Sequence, residues 1–60
     1  MTNLEKLLKG IGWQGGTIHQ VSEELSKYCS PSLCSVNALL VMNDAAIKLI
    51  IDVYKVRKNN

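Results

Sequence analysis

Phenylalanine is absent from this chain, and the other aromatics are few: Trp13, Tyr28 and Tyr54 amount to 5% of 60 residues. A core without aromatic bulk has to be built from Leu, Ile and Val, which favours helices packed on helices over a sandwich of sheets. There is a single proline, Pro31, and three of the four glycines fall between Gly12 and Gly16. Turn chemistry is thus confined to a few places, and the elements must be few. One histidine, His19, and two cysteines, Cys29 and Cys34, do not supply the four ligands of a structural zinc site. The stretch GIGWQGG at Gly10 to Gly16 has no lysine after it and lacks the spacing that cradles phosphate. No serine, cysteine or histidine stands in the context of an activated nucleophile, and so short a chain has little room for a shielded pocket beside its core. The expectation is therefore no enzyme, no metal, no cofactor and no small-molecule substrate.

Long unbroken apolar runs are also missing. Any eighteen-residue window through the C-terminal half meets Asn37, Asn43, Asp44, Lys48 or Asp52, and a charge at the bilayer centre costs about 3 kcal/mol. No membrane span is expected. The amino terminus lacks the apolar stretch of a secretory signal. Gly15 and Gly16 could close the leader of a secreted bacterial peptide, but Gly10 and Trp13 stand where such leaders carry aliphatic residues. A cytoplasmic protein is the expectation, with Cys29 and Cys34 as reduced, largely buried thiols rather than a disulfide. The net charge is only +2, and its surplus lies at Lys55, Arg57 and Lys58. Cations that close a helix suit the negative end of its dipole, and a footprint on a polyanion usually needs a denser patch.

What the chain does have is aliphatic surface. Hydrophobic residues make up 47% of the sequence, enough to offset the entropy of ordering. From Leu33 to Val56 seventeen of twenty-four residues are apolar, and the charges Asp44, Lys48, Asp52 and Lys55 recur every three or four positions. That recurrence predicts helix. Two capping boxes mark earlier helix starts: Thr2 with Glu5, and Thr17 with Gln20. Leu4, Leu7 and Leu8 follow the first on one face. Ile18, Val21, Leu25 and Tyr28 follow the second, with Glu23, Glu24 and Lys27 opposite. Ser30-Pro31 reads as the start of a third helix, with proline at its first position.

The expected organisation is one all-α domain over residues 1–60, with three or four helices. It comprises a short helix at 3–9, a Gly-rich loop at 10–16, a helix at 18–28 and a long or broken helix at 31–57. Asn43 and Asp44 decide the last point. As a cap they divide the segment into an antiparallel bundle; as part of a polar stripe they let one helix run for about 40 Å. A continuous rod would need a dimer or larger assembly to cover it. A strand at Val36 to Met42 lacks an obvious strand to pair with.

One pattern carries a resemblance. Thr17 to Leu25, followed by Ser30 to Val36, resembles the two helices of a helix-turn-helix, in which the first helix carries Thr, Ile and Val at this spacing and the second opens on a serine cap. The resemblance covers about a third of the chain. It implies a dimeric DNA-binding regulator, with Ser32, Ser35 and Asn37 toward bases and Arg57 and Lys58 toward phosphate. The second helix, however, has no Lys or Arg, and docking without phosphate contacts leaves little affinity. Nucleic acid is thus the disfavoured partner. The favoured reading is a small accessory or regulatory protein that binds itself and another protein through its apolar C-terminal helix. Ile47, Ile50, Ile51 and Tyr54 are the expected contact residues. Trp13 is the fifth, as an anchor on the glycine loop, unless it folds back onto Leu7, Leu8 and Ile18 to plug the core.

Overall fold

The computed structural model describes residues 2–60. Met1, part of the expected 1–60 domain, lies outside the described residues. Four helices account for the ordered framework of these residues, which contain no strand: α1 Asn3–Ile11, α2 Ile18–Ser26, α3 Val36–Val41 and α4 Asp44–Asn59.

Each helix begins on a side-chain cap that its sequence supplies. Thr2 accepts a hydrogen bond from the Glu5 amide at 3.2 Å. At α2 both halves of the box close: Thr17 Oγ1 accepts from the Gln20 amide at 3.2 Å, and Gln20 Oε1 accepts from the Thr17 amide at 2.9 Å. Each such bond satisfies one of the amides that the first turn leaves without a partner. Helix α1 stops where Gly12 takes the left-handed conformation (φ 80°, ψ 21°), so that the Trp13 amide reaches back to Leu8 O at 2.9 Å. A side chain at Gly12 would strain that reversal.

The third helix starts later than Ser30-Pro31 predicts. Ser30 O accepts from the amides of Leu33 and Cys34 at 3.0 and 3.1 Å, which closes one turn, and the chain then leaves the helical path. Two bonds explain the departure. Ser22 Oγ donates to Cys34 O, the carbonyl that a continuing helix would offer to Ala38, and Ser35 Oγ accepts from the Ala38 amide instead at 3.2 Å. Ser35 is therefore the cap, in extended backbone (ψ 155°).

The C-terminal segment breaks at Asn43. Its Oδ1 accepts from the Ala46 amide at 2.9 Å, and Asp44 in the first turn pairs with Lys6 of α1, where a negative charge also suits the helix dipole. The end of α3 is held from a distance. Asn3 Nδ2 donates to Leu39 O, Leu40 O and Met42 O at 2.9, 3.1 and 2.9 Å, carbonyls that a six-residue helix cannot satisfy internally. Asn3→Ala should cost about 1–2 kcal/mol in spite of alanine's higher helix propensity. It would show as a lower urea midpoint at unchanged slope, and an unchanged midpoint would mean that water replaces the amide at no cost.

Helix α1 lies against all three of the others, and α2 also packs on α3. Between them sit Leu7, Ile11, Val21, Leu25, Cys34, Leu39, Ile47, Ile50 and Tyr54, all buried. The radius of gyration is 10.1 Å, against about 10.4 Å expected for a domain of this length. The surface area of 3982 Å² likewise matches the roughly 3,900 Å² of a monomeric protein of this mass. Breaking the rod into α3 and α4 thus lets the chain fold its own aliphatic surface inward.

Candidate association surface

Folding inward uses one side of α4 and leaves another bare. Ile47, Ile50 and Tyr54 face the core. At about 100° per residue, Ala46, Leu49, Val53 and Val56 lie roughly a third of a turn round from them. Leu49 and Val56 are 64% and 62% exposed, and Ala46 and Val53 are half-buried. The helix is thus apolar over a wider arc than its own domain can cover, with Lys48, Asp52, Lys55 and Asn59 on what remains, all exposed.

Neighbouring segments extend the bare side. Leu33 in the turn after Pro31 and Val41 at the end of α3 are 61% and 83% exposed. With Ala38, Met42, Ala46, Leu49 and Ile50 they line an apolar groove of about 330 Å³. Two further hollows adjoin the groove through shared residues, one at Cys29, Ser30, Leu33, Val53 and Arg57 and one among Asp52, Val53, Val56 and Arg57. The groove itself carries no charged side chain and no side-chain hydroxyl or amide, so nothing there would orient a small molecule.

The residues expected to meet a partner are distributed otherwise. The side chains of Ile47, Ile50 and Tyr54 are 3%, 9% and 1% exposed, so the subunit's own core occupies them; only the rim of Ile50 touches the groove. Ile51 is half-buried against α1 at Gly10. Trp13 is half-buried and packs on the core cluster, close to the fold-back arrangement, and one side of it borders a shallow polar depression with Gln20, Glu23, Glu24 and Lys27. The structure does not bring these five into one exposed patch. Leu33, Val41, Leu49 and Val56 form the exposed face instead. Leu49 and Val56 belonged to the same apolar stripe, but periodicity does not say which of its two arcs points inward.

The basic end of α4 is partly engaged within the subunit. Arg57 Nη1 donates to Tyr28 O at 2.7 Å, and Lys58 Nζ donates to Tyr54 Oη at 3.1 Å. Between the elements of the helix-turn-helix resemblance, residues 27–35 intervene, and Ser35 serves as a backbone cap. Cys29 and Cys34 are both thiols. Burial, and then the neighbouring Cys29, push the Cys34 thiol up to about 11, which keeps it protonated and poorly nucleophilic at neutral pH. Among the described residues no three His, Cys, Asp or Glu side chains converge on a metal position, and no helix is long and apolar enough to cross a membrane. Comparison with protein-family models, curated proteins and solved structures found no match to this chain.

Proposed function

We propose that this is a small accessory or regulatory protein that works by protein–protein association, first of all with a second copy of itself. The surface it uses is the bare side of α4 with Leu33 and Val41. One observation carries the reading: in a domain whose other apolar side chains mostly fold inward, five large hydrophobics (Leu33, Leu40, Val41, Leu49 and Val56) stay more than half exposed, and four of them line three adjoining hollows linked by shared residues. Contiguous apolar surface of this kind marks interaction sites more often than chance exposure does. A cytoplasmic setting suits the two thiols, and a role beyond assembly would be exercised on another protein.

Sedimentation equilibrium tests this directly. The mass should rise above 6.6 kDa with concentration and should persist in high salt, because apolar contacts hold or strengthen there. Leu49→Asp should retain the helical spectrum, since the side chain is mostly in solvent, and should weaken association by about tenfold or more. A monomer mass up to millimolar concentration would overturn the reading.

A further inference from the structure

We infer that two copies pair through α4 in parallel, with Asp52 of each copy beside Arg57 of the other. The inference rests on the association proposed above and specifies its geometry. Ala46, Leu49, Val53 and Val56 are spaced three, four and three residues apart, the spacing at which apolar residues form the seam between two supercoiled helices. None of the four seam positions is buried in the subunit, Ala46 and Val53 being half-buried and Leu49 and Val56 exposed, whereas Ile47, Ile51 and Tyr54 lie away from the seam, toward the subunit's own core. The seam is therefore available without unfolding anything.

Charge selects the direction. The residues that flank such a seam are Ala45, Asp52 and Asn59 on one side and Ile50 and Arg57 on the other. In a parallel pair, a flanking residue meets the one five positions later on the partner helix. Ala45 then meets Ile50 and Asp52 meets Arg57: an apolar contact and an ion pair, each made twice by the two-fold axis. In an antiparallel pair the same flanks face themselves, so that Asp52 meets Asp52 of the other copy, which is repulsive. Asp52 and Arg57 are both exposed and make no ion pair with each other or any other group among the described residues. They border the same hollow, on either side of Val53 and Val56. The bond from Arg57 to Tyr28 O occupies one nitrogen of the guanidinium and leaves other donors for a carboxylate. Lys48 and Lys55 sit farther round the helix, off the seam.

The test is a charge-reversal cycle on the full chain, followed by sedimentation at moderate salt, with circular dichroism confirming that each variant is folded. Asp52→Lys sets two cations against each other, and Arg57→Glu sets two anions. Each should weaken dimerisation by about tenfold, and the double variant should return to within about threefold of the original. Lys48→Glu, which changes net charge as Arg57→Glu does but lies off the seam, should leave the dimer constant nearly unchanged. A dimer indifferent to either reversal, or a double variant that fails to recover, overturns the parallel pairing while leaving association standing. A chain that stays monomeric removes both.

Discussion

Tyr54→Ala is expected to remove about half or more of the domain's stability. The ring is 1% exposed, stands edge-on to Tyr28 with centroids 5.1 Å apart, and fills the space between α4 and the end of α2. Removing a buried aromatic costs about 3–5 kcal/mol, and a domain of this size has about 3–9 kcal/mol in total. The urea midpoint followed by helical ellipticity should therefore fall by about half or more. Tyr54→Phe keeps the ring and isolates the hydroxyl, which donates to Glu24 Oε2 at 2.8 Å. Its loss should cost about 1–2 kcal/mol and should change the pH dependence as well. The Tyr54 bond chiefly, and Lys27 after it, hold the Glu24 carboxyl below its ordinary 4.5 against the opposing effect of burial. Stability from that carboxylate is present above pH 4.5 and is lost as pH falls through the lower folded value. Burial, and then the bond to Glu24, push the Tyr54 phenol above its ordinary 10. That contribution is complete below pH 10 and is lost as pH rises through the raised value. Urea midpoints of the original chain should thus decline at both extremes, and Tyr54→Phe should flatten both declines. A phenylalanine variant with the same acid limb would assign that limb to other carboxylates.

Gly10→Ala should destabilise the protein, against the usual sign for a helix. Replacing a glycine inside an exposed helix with alanine ordinarily gains up to about 1 kcal/mol. At Gly10, however, a Cβ would stand 2.2 Å from Ile51 Cδ1, 2.8 Å from Cγ1 and 3.0 Å from Cγ2. Contact with all three atoms means that rotating one methyl is no escape, and a β-branched side chain on a helix has little choice of χ1. Either Ile51 leaves its rotamer or α1 lifts off α4, and overpacking of this kind costs about 1–3 kcal/mol. The melting temperature of Gly10→Ala should fall by several degrees. Ile51→Ala should be less harmful beside Gly10→Ala than alone, because it vacates the contested volume. A Gly10→Ala variant as stable as the original would show that the helices separate freely at this crossing.

Gly10 also shows where the sequence could be read and where it could not. The glycine stretch stood out by composition, but its work is to let α4 approach α1 at Gly10 and to reverse the chain at Gly12, neither of which involves presenting Trp13. Local rules served best where both partners lie within four residues: the Thr17–Gln20 box is closed as the spacing implies, and α2 follows, although of the expected Thr2–Glu5 box only the bond from the Glu5 amide to Thr2 forms. They were ambiguous where a distant group decides. Asn43 could cap or continue a helix, and the choice is stabilised by Asn3, at the other end of the chain, whose amide accepts no competing assignment from sequence alone. They placed the start of α3 too early at Pro31 because the competing bond comes from Ser22 on another helix. The apolar stripe of α4 was plain, yet it spans two arcs, and only the position of α1 shows that Ile47, Ile50 and Tyr54 turn inward while Leu49 and Val56 do not.

The central placement of α1 has a consequence for how the molecule comes apart. Its first helix is clamped to the last by Gly10 against Ile51 and by Lys6 with Asp44, and to the third by the Asn3 amide. Opening α1 would therefore withdraw support from the end of α3 and from the first half of α4 together. Disassembly is therefore expected as a single concerted event with no stable sub-fragment, and the amides of α1 and of the first half of α4 should share one protection level set by global opening, above that of the exposed last turns of α4.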